Sequence, residues 1–485
     1  MEVLLLSFVG PSVKEEWGVS GGAEGLITSV AFAGMLLGAC VGGLVSDRYG
    51  RRAGFLFTAI VSGVPGFLCA FSPNYATLLA LRFVVGLGLG GSHVLPTWFL
   101  EFVPAENRGS WIAAFTCFWT LGTILEALLA WELEFLASLN NWRASATPTY
   151  DCIFSENRNK VLMTFEEQSP RSVISQQQLL FLIVSALLLC HIWLLAFSST
   201  PCFILLFFSS VIPESPRYLC SRSKISEAML VLERMARMNN STLPPGTVTS
   251  EPKRKEDNYD SSVTTLLLMT EDNLGHDEGT STKSSYKNIF RAFWSRDLIR
   301  STLLLWLVHF ASYFAYYGLV YLISELSSGR SQPKDSTIYI NVLVTSFAEF
   351  PGLLLAALLI DRIGRRVTLG CMILLCCAFS APLSIQLREG LSIILLFCAR
   401  TCVMGGFAVL HVYSPEIYPT SCRNTGVGFA NFIGRVGSIV APLTITALLE
   451  NHHQKEAVLV MDLALFLEGV ACTLFPLETK GREIH

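Results

Sequence analysis

Apolar runs of about 20 residues return all along this chain, and no other feature limits its fold so sharply. Wound as helices, such runs cross a hydrocarbon layer of about 30 Å. Inside that layer every backbone N–H and C=O must find its partner within the protein, which a helix achieves locally. The runs lie near Gly25–Val45, Gly54–Phe71, Ala76–Leu100, Ser110–Trp131, Trp193–Ile212, Leu298–Ile323, Ile338–Ile360, Thr368–Leu387, Leu391–Tyr413, Gly426–Leu449 and Ala457–Phe475, and they predict eleven complete spans. A hydrophobic content of 52% against 15% charged residues agrees, since soluble domains are less apolar and more charged. The chain therefore reads as an all-α membrane protein. Its net charge of −3 is neutral on nucleic acid, and no basic run interleaved with aromatics suggests that partner. Most of the fourteen cysteines sit singly inside apolar runs, without metal-ligand spacing, and read as small core residues.

What separates the runs is as informative as the runs. "SDRYGRRAG", at Ser46–Gly54, sets Asp47, Arg48, Arg51 and Arg52 between two apolar stretches, and Asp361, Arg362, Arg365 and Arg366 repeat the pattern 314 positions later. Glu101 and Arg108 in "PTWFLEFVPAENRGS" are matched by Glu416 and Arg423 in "VYSPEIYPTSCRNTG", offset by 315. Arg82 and Arg400 fall inside apolar runs between these motifs, and "PESPRYL" and "PLETKGRE" close the two sets. Ordered correspondences of this kind predict two homologous six-helix halves, an arrangement that in transporters places the substrate between the halves near the bilayer midplane.

The expected organisation is an N-terminal transmembrane half over residues 1–221, a cytosolic linker over 222–296, a C-terminal half over 297–476 and a cytosolic tail over 477–485. The linker is polar, with one short amphipathic helix expected at Ile225–Met238. Loops carrying Asp47, Glu101/Arg108, Asp361, Glu416/Arg423 and Lys480/Arg482 hold most of the basic residues, so the positive-inside rule turns them, with both termini, toward the cytosol. Either the plasma membrane or an endomembrane fits.

Paired acids and arginines at helix ends can form charge-assisted hydrogen bonds that open and reform as two bundles rock. Asp47, Arg51, Arg52, Glu101, Arg108, Asp361, Arg365, Arg366, Glu416 and Arg423 are accordingly expected to form a cytosolic gate. Arginines that merely set topology would not require acids at a repeated spacing.

These stretches resemble signatures of the major facilitator superfamily, in its sugar-porter and organic-ion branches. "EVLLLSFVGPSVKEEWG", "FTCFWTLGTILEALLAW" and "SFAEFPGLLLAALLIDRIGRR" are similar to a plant group of organic cation/carnitine transporters related to synaptic-vesicle-two-related proteins and to bacterial nicotinate permeases. The resemblance covers nearly the whole chain except Ala144–Ile192 and implies the major facilitator fold. The paired glutamines usual in sugar porters are missing from "LLLWLVHFASYFAYYGLVYL". Two departures stand out. "MEVLLLSFVGPS" is too short to span, so the first helix is expected to be incomplete, through a truncated gene model or an isoform. Removing 144–192 joins Arg143 to Trp193 without a seam, which marks that segment as an atypical insert, from a retained intron or alternative exon or as an extracellular domain.

Ionisable residues within spans cost about 2.5–3.5 kcal/mol on insertion scales, so each needs a partner or a role. Arg435, in "NFIGRVGSIVAPL", matches an arginine of related organic-anion transporters, which implies substrate contact through bidentate carboxylate binding; the alternative is a structural pair with an acid from a neighbouring helix. Glu126 and Glu349 match acids of the plant group, and they either exchange protons with the solvent or neutralise Arg82, Arg400 or Arg435. Trp306, Phe310, Tyr313, Phe314, Tyr316 and Tyr317, with Trp119, offer faces for flat or cationic ligands, although lipid-facing packing is the commoner explanation of such aromatics. Trp119, Tyr313 and Tyr317 are taken with Arg435, Glu126 and Glu349 as the substrate-binding candidates. His93 and His309 are expected to be hydrogen-bonded core residues.

The leading functional expectation is a secondary active transporter of small organic ions, nicotinate-like carboxylates or organic cations such as carnitine. It would work by alternating access as a monomer in the lipid bilayer, with protons or another ion coupled. The alternatives are a non-transporting receptor or regulator on the same scaffold, and an inactive product. No Walker loop, metal-ligand cluster or nucleophile elbow points to an enzyme, a metal or a cofactor.

Overall fold

The computed structural model describes residues 21–129, 197–209, 212–243, 246, 248, 296–328, 343–385, 387–450 and 453–481. Among them the regular structure is entirely helical. Ten helices are long and apolar enough to span a membrane: α1 Leu26–Tyr49, α2 Arg51–Cys69, α3 Tyr75–Leu100, α4 Arg108–Leu129, α7 Leu298–Leu322, α8 Leu343–Ile363, α9 Arg365–Ser384, α10 Gly390–Ile417, α11 Arg423–Leu449 and α12 Gln454–Leu474. Between α4 and α7 lie α5, Thr200–Phe208, and the amphipathic α6, Ile225–Met238. Of the eleven expected spans, Trp193–Ile212 is described only over α5 and its flanks. The expected incomplete first helix, the 144–192 insert and most of the linker lie outside the described residues.

Helix starts explain the tight turns. Gly50 and Gly364, at φ +111° and +109°, let α1 turn into α2 and α8 into α9. Each turn also presses against a carboxylate, since a side chain at Gly364 would meet Glu478 at 2.9 Å and one at Gly50 would meet Glu214. Those carboxylates cap the new helices. Glu214 accepts from Arg51 N at 2.9 Å and Arg52 N at 3.2 Å, and Glu478 accepts from Arg365 N at 2.8 Å and Arg366 N at 3.1 Å. An acid at a helix N-terminus satisfies orphan N–H groups and meets the positive end of the macrodipole.

α1 packs on α2 and α3, α7 packs on α11 and α12, and α9 packs on α10 and α12. The halves join where α1 lies along α11. Phe32 and Met35 of α1 thus enter one apolar core with Val308, Ala315 and Tyr317 of α7.

Candidate functional site: a charged closure and a central arginine

Two clusters lie along the seam between the halves. The first is at the end where α1, α3, α8 and α10 finish and α2, α4, α9 and α11 begin. Asp47, at the end of α1, accepts from Arg51 Nη1 at 2.9 Å. It also crosses the seam, accepting from Asn424 N at 3.3 Å and from Thr425 N and Oγ1, both at 2.7 Å. An acid of one half therefore caps a helix of the other. Asp361 repeats the device in reverse, accepting from Gly109 N at 3.1 Å, Ser110 N at 3.0 Å and Ser110 Oγ at 3.2 Å at the start of α4.

Glutamates complete each cap. Glu101 accepts from Arg51 Nε at 3.2 Å and, across the seam, from Arg423 Nη1 at 2.9 Å. Glu416 accepts from Arg365 Nε at 3.3 Å and, across the seam, from Arg108 Nη1 at 3.2 Å. Arg51 Nη2 adds a bond to Thr420 O at 2.8 Å. Burial pushes the Glu101 carboxyl up, but Arg51 and Arg423 pull it further down, so it lies below the ordinary carboxylate value. Every arginine named here except Arg52 and Arg366 joins this lattice. Arg52 contributes its backbone N–H to Glu214, and its Nε has no hydrogen-bond partner among the described residues. Arg366 donates to Cys472 O at 3.0 Å and to Thr473 O, closing the carbonyl end of α12 within its own half. The expected ten-residue network is thus eight residues strong in side-chain ion pairing, because Arg52 and Arg366 serve intra-half helix ends.

The second cluster is central. Arg435 lies about 18 Å along α11 from Arg423 and is 6% exposed. Its Nη1 lies 3.4 Å from Tyr317 Oη, and its guanidinium carbon stands 5.1 Å from the Tyr313 ring centre. Among the described residues no carboxylate pairs with it. Aromatic rings surround it: Phe32 of α1 meets Tyr317 edge-on at 5.3 Å, and Phe407 of α10 meets Tyr313 edge-on at 4.9 Å. Tyr313 Oη donates to Asn431 Oδ1 at 2.9 Å, which fixes its ring.

Arg400, by contrast, is neutralised. Its Nη2 donates to Glu349 Oε1 at 3.0 Å, and Tyr316 Oη and Thr120 Oγ1 donate to the same carboxylate, each at 3.0 Å. Arg82 and Glu126 are fully buried in α3 and α4. Trp119 is 40% exposed and takes no part in the ring cluster around Arg435. His93 lies between Gly90 O at 3.2 Å and Asn424 O at 3.3 Å, and His309 Nδ1 lies 2.9 Å from Leu305 O.

With this geometry in place, relatedness is decisive. The sugar (and other) transporter family matches residues 12–180 and 190–485. The chain belongs to that family. The transporter is 41% identical to organic cation/carnitine transporter 7 of Arabidopsis thaliana, over all of this chain and 89% of that one. It is 28% identical to the niacin transporter NiaP of Acinetobacter baylyi, over 99% of this chain and 91% of that one. In fold it is similar to the proton:xylose symporter XylE bound to 6-bromo-6-deoxy-D-glucose, at a TM-score of 0.68 and 15% identity, covering all of this chain and 94% of that one. The protein is thus a multi-pass membrane transporter with the major facilitator fold, and not an enzyme.

Sequence reasoning overlooked several residues of the transporter that the structure brings forward. Glu468 and Asp462 are acids inside "MDLALFLEGVACTLF", and the cost of intramembrane charge was the signal that would have flagged them. His411, half-buried on α10 beside Phe407, is a third histidine within a span.

Proposed function

We propose that this transporter is a secondary active carrier of small organic ions that bear a carboxylate, nicotinate or carnitine in kind. The observation that carries this reading is Arg435, a buried guanidinium on the seam whose described neighbours are tyrosines rather than acids. Its planar fork suits a carboxylate bidentately, and a low-dielectric site strengthens that pairing. Tyr313, Tyr317, Phe32 and Phe407 supply faces for a flat ring or a quaternary ammonium at the other end of the ligand. Relatives named for niacin and for organic cations and carnitine support the ligand class.

Transport follows by alternating access. The closure around Asp47, Glu101, Asp361 and Glu416 seals one end, which the positive-inside rule turns to the cytosol, and opening breaks the cross-seam bonds while each half keeps its own. The test is uptake into proteoliposomes of labelled nicotinate, carnitine and choline. Nicotinate or carnitine enters, choline, which lacks a carboxylate, does not, and Arg435→Ala abolishes the difference. Saturable binding without uptake would instead identify a receptor on a transporter scaffold.

A further inference from the structure

Two acids of the C-terminal half, Glu349 and Glu416, already have a cation. Glu349 has Arg400 at 3.0 Å, and Glu416 has Arg108 and Arg365 at 3.2 and 3.3 Å. Glu468 is different. It sits on α12 with no measurable exposure, about 9 Å before the helix's last residue. Ser312 Oγ of α7 donates to its Oε1, and its Oε2 has no hydrogen-bond partner among the described residues. The titratable groups that face it are thiols, Cys376 of α9 and Cys472 one turn on along α12. Asp462, earlier on α12, is held by Ser380 Oγ of α9. Neither α7 nor α11 brings a cation to it among the described residues.

A carboxylate in that enclosure gives up its hydration for a single hydroxyl, a cost that taking up a proton on the unpartnered Oε2 would remove. The enclosure is also linked to the central site. Ser312 is followed by Tyr313, which stands over Arg435. Gly434 and Gly437 of α11 leave no room for a side chain between that helix and the Tyr313 ring or Phe310 O of α7, so α7 and α11 are in close contact beside the central site. Ser312 and Tyr313 are adjacent on α7, so any shift of that helix at Tyr313 carries Ser312 with it.

We propose that Glu468 is the coupling-proton site of this transporter, binding one proton on its carboxylate from one side of the membrane and releasing it to water on the other as Ser312 withdraws with α7. This deepens the carrier reading above and rests on it.

The full chain in proteoliposomes tests it with three measurements. Nicotinate counterflow at equal pH requires only the Arg435 site. Accumulation under an inward proton gradient of one pH unit, corrected for protein-free vesicles because nicotinic acid permeates, requires coupling and reaches about tenfold at one proton per substrate. The infrared carbonyl band of a protonated carboxyl requires no substrate at all. The expected result is that Glu468→Gln keeps counterflow, falls to no net accumulation and loses the band, while Glu468→Asp recovers part of the accumulation. Unchanged accumulation in Glu468→Gln, or loss of counterflow together with accumulation, would overturn the proposal. So would wild-type counterflow without proton-driven accumulation. Absence of wild-type counterflow would instead sink the carrier reading, and a wild-type band missing from Glu468→Gln would still assign the proton. If Glu468→Gln fails to fold, Ser312→Ala is used, with the pH at which the band fades expected to move; no movement overturns the role.

Discussion

A guanidinium enclosed midway along a membrane helix calls for a counter-charge, and among the described residues Arg435 has Tyr313 and Tyr317 beside it rather than a carboxylate. Losing one partner of a buried, hydrogen-bonded charge pair costs about 2–5 kcal/mol. Arg435→Ala should therefore weaken nicotinate binding by at least about thirtyfold, measured by equilibrium binding to the purified protein. Arg435→Lys, which keeps the charge but not the fork, should recover only part of that loss. Tyr313→Phe removes one hydrogen bond to Asn431 and keeps the ring, so its effect should stay near 1 kcal/mol. The motif that flagged Arg435 was readable in the sequence. Its tyrosine company was not, since α7 and α11 are far apart along the chain and meet only in the fold.

At the scale of the element, helix ends carry the design. Asp47 and Asp361 each cap the first turn of a helix in the opposite half, so Asp47→Asn or Asp361→Asn weakens charge-assisted bonds without disturbing any span. Each should slow transport by about tenfold while surface expression holds, and unchanged turnover in both would remove them from the gate. Gly50→Ala should act on stability instead. It forces a side chain into a glycine-only backbone region and against the Glu214 carboxylate, at a cost of about 1–3 kcal/mol. A lowered thermal midpoint in detergent, matched by Gly364→Ala, is the expected reading.

For the whole molecule, the closure between the halves sets a pH dependence. Glu101 has its carboxyl lowered by Arg51 and Arg423, so its contribution is fully present above the ordinary glutamate value of about 4.3. That contribution is lost only as pH falls through the lowered value. Spin labels at Tyr49 and Ile363, both exposed and on opposite halves, should report one short distance at neutral pH. A longer population should appear as pH falls, and its onset should move in Glu101→Gln; an onset unchanged by that substitution would contradict the Glu101 assignment.

The sequence by itself determined the spans, the doubled charged motifs and the end of the molecule they share, because span length and charge position are properties of single stretches read in order. The offset from Asp47 to Asp361 and from Glu101 to Glu416 placed equivalent residues at equivalent depths. Only the tertiary structure decided the pairing. Asp47 reaches Thr425 and Asp361 reaches Ser110 across the seam, Arg52 and Arg366 turn back into their own halves, Glu349 neutralises Arg400, and Glu468 is left with a serine. Such outcomes depend on which helices lie side by side, and hydrophobic burial in a bilayer drives every span inward without choosing its neighbour.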